Sequence, residues 1–152
     1  MAFSTIYRSI DGDDGRTALE ILLRPTRFYK QKADRIIKMM ENFSEILPII
    51  KVCPAIFTPG LAAFKRDWFV RNVKGLGYKT ASHFLRNLGA DDLAIIDTHI
   101  LKYMKITDKK WDYIEVEKRF RKRAKRYGIS VAELDAIVWK IYSKTDWSEF
   151  TH

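Results

Sequence analysis

The sequence predicts an all-α fold. Apolar residues recur at spacings of three and four along most of the chain, which is the period of an amphipathic helix. Capping residues, prolines and glycines separate these segments. Residues 93–96 are a short apolar run that could be a strand, but the sequence offers this run no partner. The 152 residues suffice for one hydrophobic core, so we predict a single domain over residues 1–152.

The first part of the chain contains a predicted loop and a predicted helix. Residues 11–15 are acidic and contain two glycines, which is typical of a loop. Residues 29–43 carry apolar side chains on one helical face and are predicted to form an amphipathic helix. Thr58 and Pro59 then offer an N-cap and a first-turn proline for a further helix.

The rest of the chain begins with a predicted helical hairpin over about residues 60–88, in which glycines divide two apolar helices. A long basic helix is predicted over about residues 111–127. Ser130 and Glu133 have the spacing of a capping box, which predicts that a last helix covers about residues 131–144.

Charge indicates the class of partner. The chain has 28 Lys and Arg against 19 Asp and Glu, a formal net charge of +9, which favours a polyanion such as nucleic acid. A membrane-surface role would need a basic helix with a clean apolar face, whereas residues 118–127 are charged around most of their circumference. No apolar run approaches membrane-spanning length, and residues 1–5 lack the pattern of a secretion signal. We therefore expect no membrane partner.

Cys53 is the single cysteine, which limits the redox and metal chemistry. One thiol can form neither an internal disulfide nor a cysteine-held iron–sulfur cluster or zinc site. The three histidines show no metal-ligand spacing. We expect an intracellular, cytoplasmic protein whose catalysis uses no cofactor.

The turn of the predicted hairpin contains Gly75 and Gly77, and Lys79 follows two residues later. Glycine lets a ligand approach the main chain closely, and N–H groups at the start of a helix bind phosphate. A plain helical hairpin would also explain the glycines. Asp97 ends an apolar run and precedes a helical pattern, where an N-cap is the ordinary role of an aspartate.

Three motifs lie close together: the hairpin turn at 73–79, Ala-Ser-His-Phe-Leu-Arg-Asn at 81–87, and Ile-Ile-Asp-Thr-His at 95–99. In order and spacing they resemble the helix-hairpin-helix DNA glycosylase superfamily, and within it the archaeal-type 8-oxoguanine DNA glycosylase/AP lyases. The resemblance extends over about residues 26–142. It implies a bifunctional enzyme of base excision repair that removes 8-oxoguanine from double-stranded DNA, acts as a monomer and works at the nucleoid.

The resemblance implies catalytic roles for two residues. Lys79 would be the nucleophile that displaces the damaged base at C1′ and forms a Schiff base, after which β-elimination releases the 3′ phosphate. This reaction requires a neutral amine. Asp97 would stabilise the positive charge that develops on the sugar and would help to position or deprotonate Lys79.

Further roles are implied for binding residues. Contacts with DNA phosphate are implied for Gly75, Gly77, Thr80 and His99. A structural Na⁺ or K⁺ ion would be held by the main-chain carbonyls of Arg71, Val73 and Leu76. Because the target nucleotide must be swung out of the duplex, aromatic side chains would hold its base. Trp139 is similar to the family's stacking tryptophan, and Phe28 would lie on the opposite face of the base.

The ends of the chain depart from the family pattern. Asp146 follows Thr145 where the family commonly has glycine, and the family's C-terminal lysine, used in recognising 8-oxoguanine, has no counterpart. Residues 3–15 barely match, and Arg8 is the candidate for the residue that fills the gap left by the flipped base. The residues for sugar chemistry therefore match, whereas those that select the base do not.

Two alternatives remain open. The first is a related lyase of the endonuclease III kind that acts on other oxidised bases; such enzymes often hold a cluster that Cys53 alone cannot supply. The second is a non-enzymatic hairpin module that binds the DNA backbone. Such a module would need the glycines and basic residues but would have no use for Asp97.

Overall fold

The computed structural model describes residues 13–51 and 60–144, and within these ranges it is helical without a β-strand. The all-α prediction is confirmed. In chain order the helices of the described ranges are α1 (Asp13–Leu23), α2 (Tyr29–Glu41), α3 (Phe43–Lys51), α4 (Leu61–Asn72), α5 (Tyr78–Asn87), α6 (Thr98–Tyr103), α7 (Tyr113–Tyr127) and α8 (Val131–Lys144). None of them is long and apolar enough to cross a membrane.

The chain divides into two compact units. The first unit contains α1, α2, α3 and the turn residues Asn72–Gly75, and the second contains the rest of α4 and the helices α5 to α8. The single domain over residues 1–152 stays a prediction.

In the first unit, an ion pair between Arg16 and Asp34 joins α1 to α2, and Asp34 also pairs with Lys38 of its own helix. Asp34 accepts from Arg16 at 3.2 Å and lies 3.3 Å from Lys38 Nζ. The hydrogen bond from Arg16, followed by the one from Lys38, lowers the pKa of Asp34. Ala33 and Ile46 are the buried apolar residues of α2 and α3.

The start of the first unit corrects the sequence prediction. The loop predicted over 11–15 is wrong for its last three residues, because α1 begins at Asp13. Acidic residues are favourable in the first turn of a helix, where the main-chain N–H groups carry positive charge. The helix predicted over 29–43 ends at Glu41, and a separate helix begins at Phe43. Residues 11–12, Thr58 and Pro59 lie outside the described residues.

In the second unit, α6, α7, α8 and the residues before α6 enclose one hydrophobic core. Its fully buried members include Phe120, Ile100 and Ala94. The predicted basic helix begins two residues late, because Asp112 caps it by accepting from Glu115 N at 2.9 Å. The predicted last helix is confirmed over Val131–Lys144.

The predicted capping box at the start of α8 is also confirmed. Ser130 N donates to Glu133 Oε2 at 2.7 Å, and Glu133 N donates to Ser130 Oγ at 3.1 Å. The N–H and hydroxyl groups of Ser130 lower the pKa of the Glu133 carboxyl.

Candidate active site

Residues 93–97, which we call the aspartate segment, directly precede α6 and form no strand. Its main-chain N–H groups donate to side chains instead of to a neighbouring strand. The N–H groups of three successive residues, Ala94, Ile95 and Ile96, donate to Glu117 Oε1 at 3.1 Å, Asp135 Oδ2 at 2.9 Å and the Tyr113 hydroxyl at 3.2 Å, respectively. The segment is therefore held in place by side chains of α7 and α8 together.

Glu117 is fixed by a buried ion pair with Arg66 of α4. The two side chains are 4% and 2% exposed, respectively, and Arg66 Nη1 donates to Glu117 Oε2. Burial would lower the pKa of Arg66, but the Glu117 and Asp67 carboxylates outweigh it and raise that pKa. The Arg66 guanidinium also lies over the Tyr78 ring, 5.3 Å from its centroid. Arg66 thereby links α4 and the start of α5 to Glu117.

Tyr113 supports the same segment from its hydroxyl group. The hydroxyl donates to Ala94 O at 2.8 Å and lies 3.2 Å from Ser82 Oγ. Burial raises the pKa of Tyr113, so the hydroxyl remains a hydrogen-bond donor at neutral pH.

Arg86 of α5 pairs with Asp135 of α8. Arg86 Nη1 donates to Asp135 Oδ2 and, at 3.4 Å, to Leu93 O; Nη2 donates to Ala132 O at 3.3 Å. Burial raises the pKa of Asp135, although the Ile95 N–H and Arg86 act in the opposite direction. The nearby Asp97 charge raises that pKa further, and both carboxylates line the same pocket.

Asp97 is the N-cap of α6, as its sequence context predicts. Its Oδ1 accepts from His99 N at 2.9 Å and from Ile100 N at 3.1 Å. These two bonds fix the carboxylate at the start of the helix, and both end on the same oxygen atom. The cap therefore leaves Oδ2 as the atom that could meet a substrate.

A pocket of about 480 Å³ lies in the second unit. Its lining consists of charged and polar side chains with three apolar ones: Lys79, His83, Arg86, Ile95, Asp97, Asp135, Ala136 and Trp139. Three of the predicted site residues, Lys79, Asp97 and Trp139, thus meet in one place. Lys79 is exposed, and within residues 13–51 and 60–144 it forms no ion pair with a carboxylate.

The pocket also contains polar and charged residues that were not predicted from the sequence. His83 and Arg86 follow Lys79 by four and seven residues, so one face of α5 carries all three. Asp135 lies beside Leu134 and Val138 on the buried side of α8. A helical spacing from Lys79, and an acidic residue within an apolar stripe, are the patterns that could have identified them.

The two hairpin glycines differ in conformation. Gly75 has φ +96, which favours glycine, and belongs to the turn. Gly77 has φ −84 and is the N-cap of α5, and a Cβ added there would meet nothing within 4 Å. Thr80 lies in the first turn of α5, where main-chain N–H groups have no helical acceptor and can meet an anion. Their contact with phosphate stays a prediction.

The remaining predicted residues lie outside this pocket. His99 is half-buried, and its buried Nδ1 has no hydrogen-bond partner among the described residues. Phe28 belongs to the first unit, is 60% exposed and carries the Arg27 guanidinium 4.9 Å from its ring centroid. Its stacking role stays a prediction, and Arg8 lies outside the described residues.

The predicted cation ligands are divided between the two units: Arg71, Val73 and Leu76. Since α4 ends at Asn72, carbonyl groups of its last turn lack helical donors, which suits a cation. Within the described ranges, no group of three or more His, Cys, Asp and Glu side chains is arranged to hold a metal ion. The carbonyl site stays a prediction.

Replacing Gly75 with alanine should lower the free energy of unfolding by about 1–2 kcal/mol, because an L-residue is strained at positive φ. The added Cβ would also displace the flexible Arg35 side chain. Gly77→Ala is the matched control, since the backbone there suits any residue. Urea denaturation of both variants tests this; equal losses of stability would contradict the assigned backbone conformations.

The comparisons with known sequences agree with this architecture. Residues 13–129 match the family model for 8-oxoguanine DNA glycosylase. An 8-oxoguanine DNA glycosylase/AP lyase of Thermoplasma acidophilum is 39% identical over 134 residues, covering 84% of this chain and 61% of that protein. One of Methanocaldococcus jannaschii is 37% identical over 122 residues, covering 74% of this chain and 56% of that protein. The chain thus spans only 56–61% of the length of these relatives.

Solved structures are similar as well. The crystal structure of Methanocaldococcus jannaschii 8-oxoguanine glycosylase/lyase with a 15mer DNA containing 8-oxoguanine matches with a TM-score of 0.70 at 32% identity, covering 93% of this chain and 72% of that one. The 8-oxoguanine DNA glycosylase of Thermotoga maritima matches with a TM-score of 0.69 at 31% identity, covering 86% and 64%. Since the family model and these helical structures match most of the chain, the chain belongs to the 8-oxoguanine DNA glycosylase family.

Proposed function

We propose that this protein is a bifunctional DNA N-glycosylase/AP lyase that removes 8-oxoguanine from double-stranded DNA. The observation that carries the proposal is that Lys79, Asp97 and Trp139 line one pocket. A nucleophilic amine, a carboxylate and an exposed aromatic face are the groups that this reaction requires. The names of the relatives support the same activity.

The first step is displacement of the base. The neutral Lys79 Nζ forms a bond to C1′ while the glycosidic bond breaks, and the bonding electrons leave with the base, which takes up a proton. The sugar becomes positively charged as this bond breaks. Asp97, held by its two hydrogen bonds at the start of α6, presents a fixed negative charge that stabilises this state.

The second step cleaves the backbone. Opening of the sugar ring gives a protonated Schiff base between Lys79 and C1′. Loss of a proton from C2′ then expels the 3′ phosphate with the electrons of the C3′–O bond. Hydrolysis of the Schiff base finally frees the amine.

The remaining residues would bind the DNA. The indole of Trp139 is 56% exposed and offers a face for the flipped base, with Phe28 as the opposite face. The phosphate contacts would come from Gly75, Gly77, Thr80 and His99. The carbonyls of Arg71, Val73 and Leu76 would hold Na⁺ or K⁺, whose charge would favour the approach of phosphate to the turn.

The expected cellular location follows from the proposed DNA partner. Double-stranded DNA suits the net charge of +9. We expect a monomer that works in the cytoplasm at the nucleoid, without an iron–sulfur cluster.

Borohydride trapping tests the proposed function. Wild-type protein and borohydride should give a covalent adduct on a duplex with one 8-oxoguanine, and none on the same duplex with guanine. A missing adduct on both 8-oxoguanine and abasic duplexes would overturn the lyase function; DNA binding without adduct would then favour the binding module. An adduct on oxidised pyrimidines but not on 8-oxoguanine would favour the related lyase.

A further inference from the structure

Arg86, Asp135 and the main-chain N–H of Ile95 form a single junction, which we call the Arg86–Asp135 junction. Asp135 Oδ2 accepts from both Arg86 Nη1 and Ile95 N, the latter at 2.9 Å. The same arginine reaches Leu93 O at 3.4 Å and Ala132 O at 3.3 Å. Helix α5, helix α8 and the aspartate segment therefore converge on one carboxylate oxygen.

Each of the three proposed functional residues is close in sequence to one member of this junction. Lys79 precedes the junction's arginine by seven residues, which is two turns along one face of α5. Trp139 follows the junction's aspartate by four residues, which is one turn along α8. Asp97 follows the junction's isoleucine by two residues, and both side chains line the pocket. A few residues of one helix or of the aspartate segment therefore connect each of the three to the junction.

Burial makes the junction resist opening. Asp135 is 6% exposed, and the side chain of Arg86 is 17% exposed. Separating them would leave two charges poorly solvated, and a buried charge without its partner is strongly unfavourable. The Arg86–Asp135 ion pair is therefore harder to separate than an exposed ion pair of the same two groups would be.

We propose that Asp135 is a positioning residue, which together with Arg86 holds Lys79, Asp97 and Trp139 in register for the reaction. The proposal rests on the proposed function. Through the two hydrogen bonds that Oδ2 accepts, Asp135 acts on the main chain of the aspartate segment and on α5. Small displacements of reacting groups have large effects: a shift of about 1 Å can cost on the order of 100-fold in rate.

Two substitutions distinguish the effect of the Asp135 charge from that of its hydrogen-bond acceptor oxygen. Asp135→Ala removes both, whereas Asp135→Asn keeps an oxygen that can accept from Ile95 N. Asp108→Ala is the matched control, since Asp108 is exposed and accepts only from Lys110 N within the described residues. Urea denaturation first identifies conditions in which every variant is folded, and if Asp135→Ala does not fold, Asp135→Asn decides.

The first readout is amide hydrogen exchange in the free protein. Asp135→Ala should speed exchange at Ile95 by at least about tenfold, with Asp135→Asn in between, while amides in the middle of α7 keep their protection. Unchanged exchange at Ile95 would overturn the proposal, because the aspartate segment would then be held without Asp135.

The second readout is the single-turnover rate of adduct formation on abasic DNA, measured with protein in excess and normalised to the trapped fraction. Asp135→Ala should slow it by about 10- to 100-fold, with Asp135→Asn less affected and the DNA dissociation constant within about threefold of wild type. Faster exchange with an unchanged rate would also overturn the proposal. If wild type forms no adduct, the proposed function has failed, and the exchange measurement alone decides whether Asp135 holds the segment.

Discussion

Replacing Lys79 with glutamine should abolish the borohydride-trapped adduct. Glutamine keeps much of the side-chain length but has no amine that can form a Schiff base. Adduct formation should fall by at least about 1000-fold, the scale of loss seen when a covalent nucleophile is removed. DNA binding should weaken only slightly, because one positive charge among 28 Lys and Arg residues is lost. Denaturing gel electrophoresis after trapping measures the first effect, and fluorescence anisotropy measures the second.

Lys109→Gln is the control for this experiment. Lys109 is exposed in the connection between α6 and α7 and lies outside the pocket. This variant should form the adduct at the wild-type rate when protein saturates the DNA. An adduct that persists in Lys79→Gln would assign the nucleophile to another amine, and loss of DNA binding in Lys79→Gln would point to a binding role instead.

Replacing Glu117 with alanine should produce the largest loss of stability. Arg66, which is 2% exposed, would lose its buried partner and keep the partly exposed Asp67, and Ala94 N would lose its acceptor. Breaking a buried pair from one side costs about 3–5 kcal/mol. Urea denaturation followed by circular dichroism measures the free energy of unfolding.

The control lies two residues earlier on the same helix. Glu115 and Lys118 are about two-thirds exposed and pair at 2.7 Å, so Glu115→Ala should leave the free energy of unfolding essentially unchanged. The double variant Arg66→Met/Glu117→Leu should recover most of the stability that Glu117→Ala loses, because no buried charge is left alone. Equal losses in Glu117→Ala and Glu115→Ala would show that the buried pair contributes nothing particular.

Local patterns predicted the elements that depend on neighbouring residues. The capping box at Ser130 and the Asp97 cap form as their spacing indicates, since each joins atoms two or three residues apart. Lys79 and Asp97, which the family resemblance paired, line the same pocket, and their catalytic roles stay a prediction. The first turn of α1 was missed, because acidic residues and glycine are common in loops and in helix starts alike.

The interior of the site depends on residues far apart in the sequence. Arg66 and Glu117 are separated by 51 positions, and Arg86 and Asp135 by 49. Nothing in a helical periodicity specifies which buried arginine meets which buried carboxylate. The apolar run at 93–96 was ambiguous for the same reason, since its hydrogen-bond acceptors are side chains of two helices that follow it in the chain.

The side-chain support of the aspartate segment has a consequence for folding kinetics. Its N–H groups at Ala94, Ile95 and Ile96 find their acceptors 23, 40 and 17 residues later in the chain. Each of these contacts requires closure of a loop, whose entropy is lost before the contact forms, whereas the helices themselves need only local contacts. A chain in which the helices have formed but these contacts have not would still lack the hydrogen bonds that hold residues 94–96 of the aspartate segment. We therefore expect the aspartate segment to become ordered after the helices, together with the last long-range contacts.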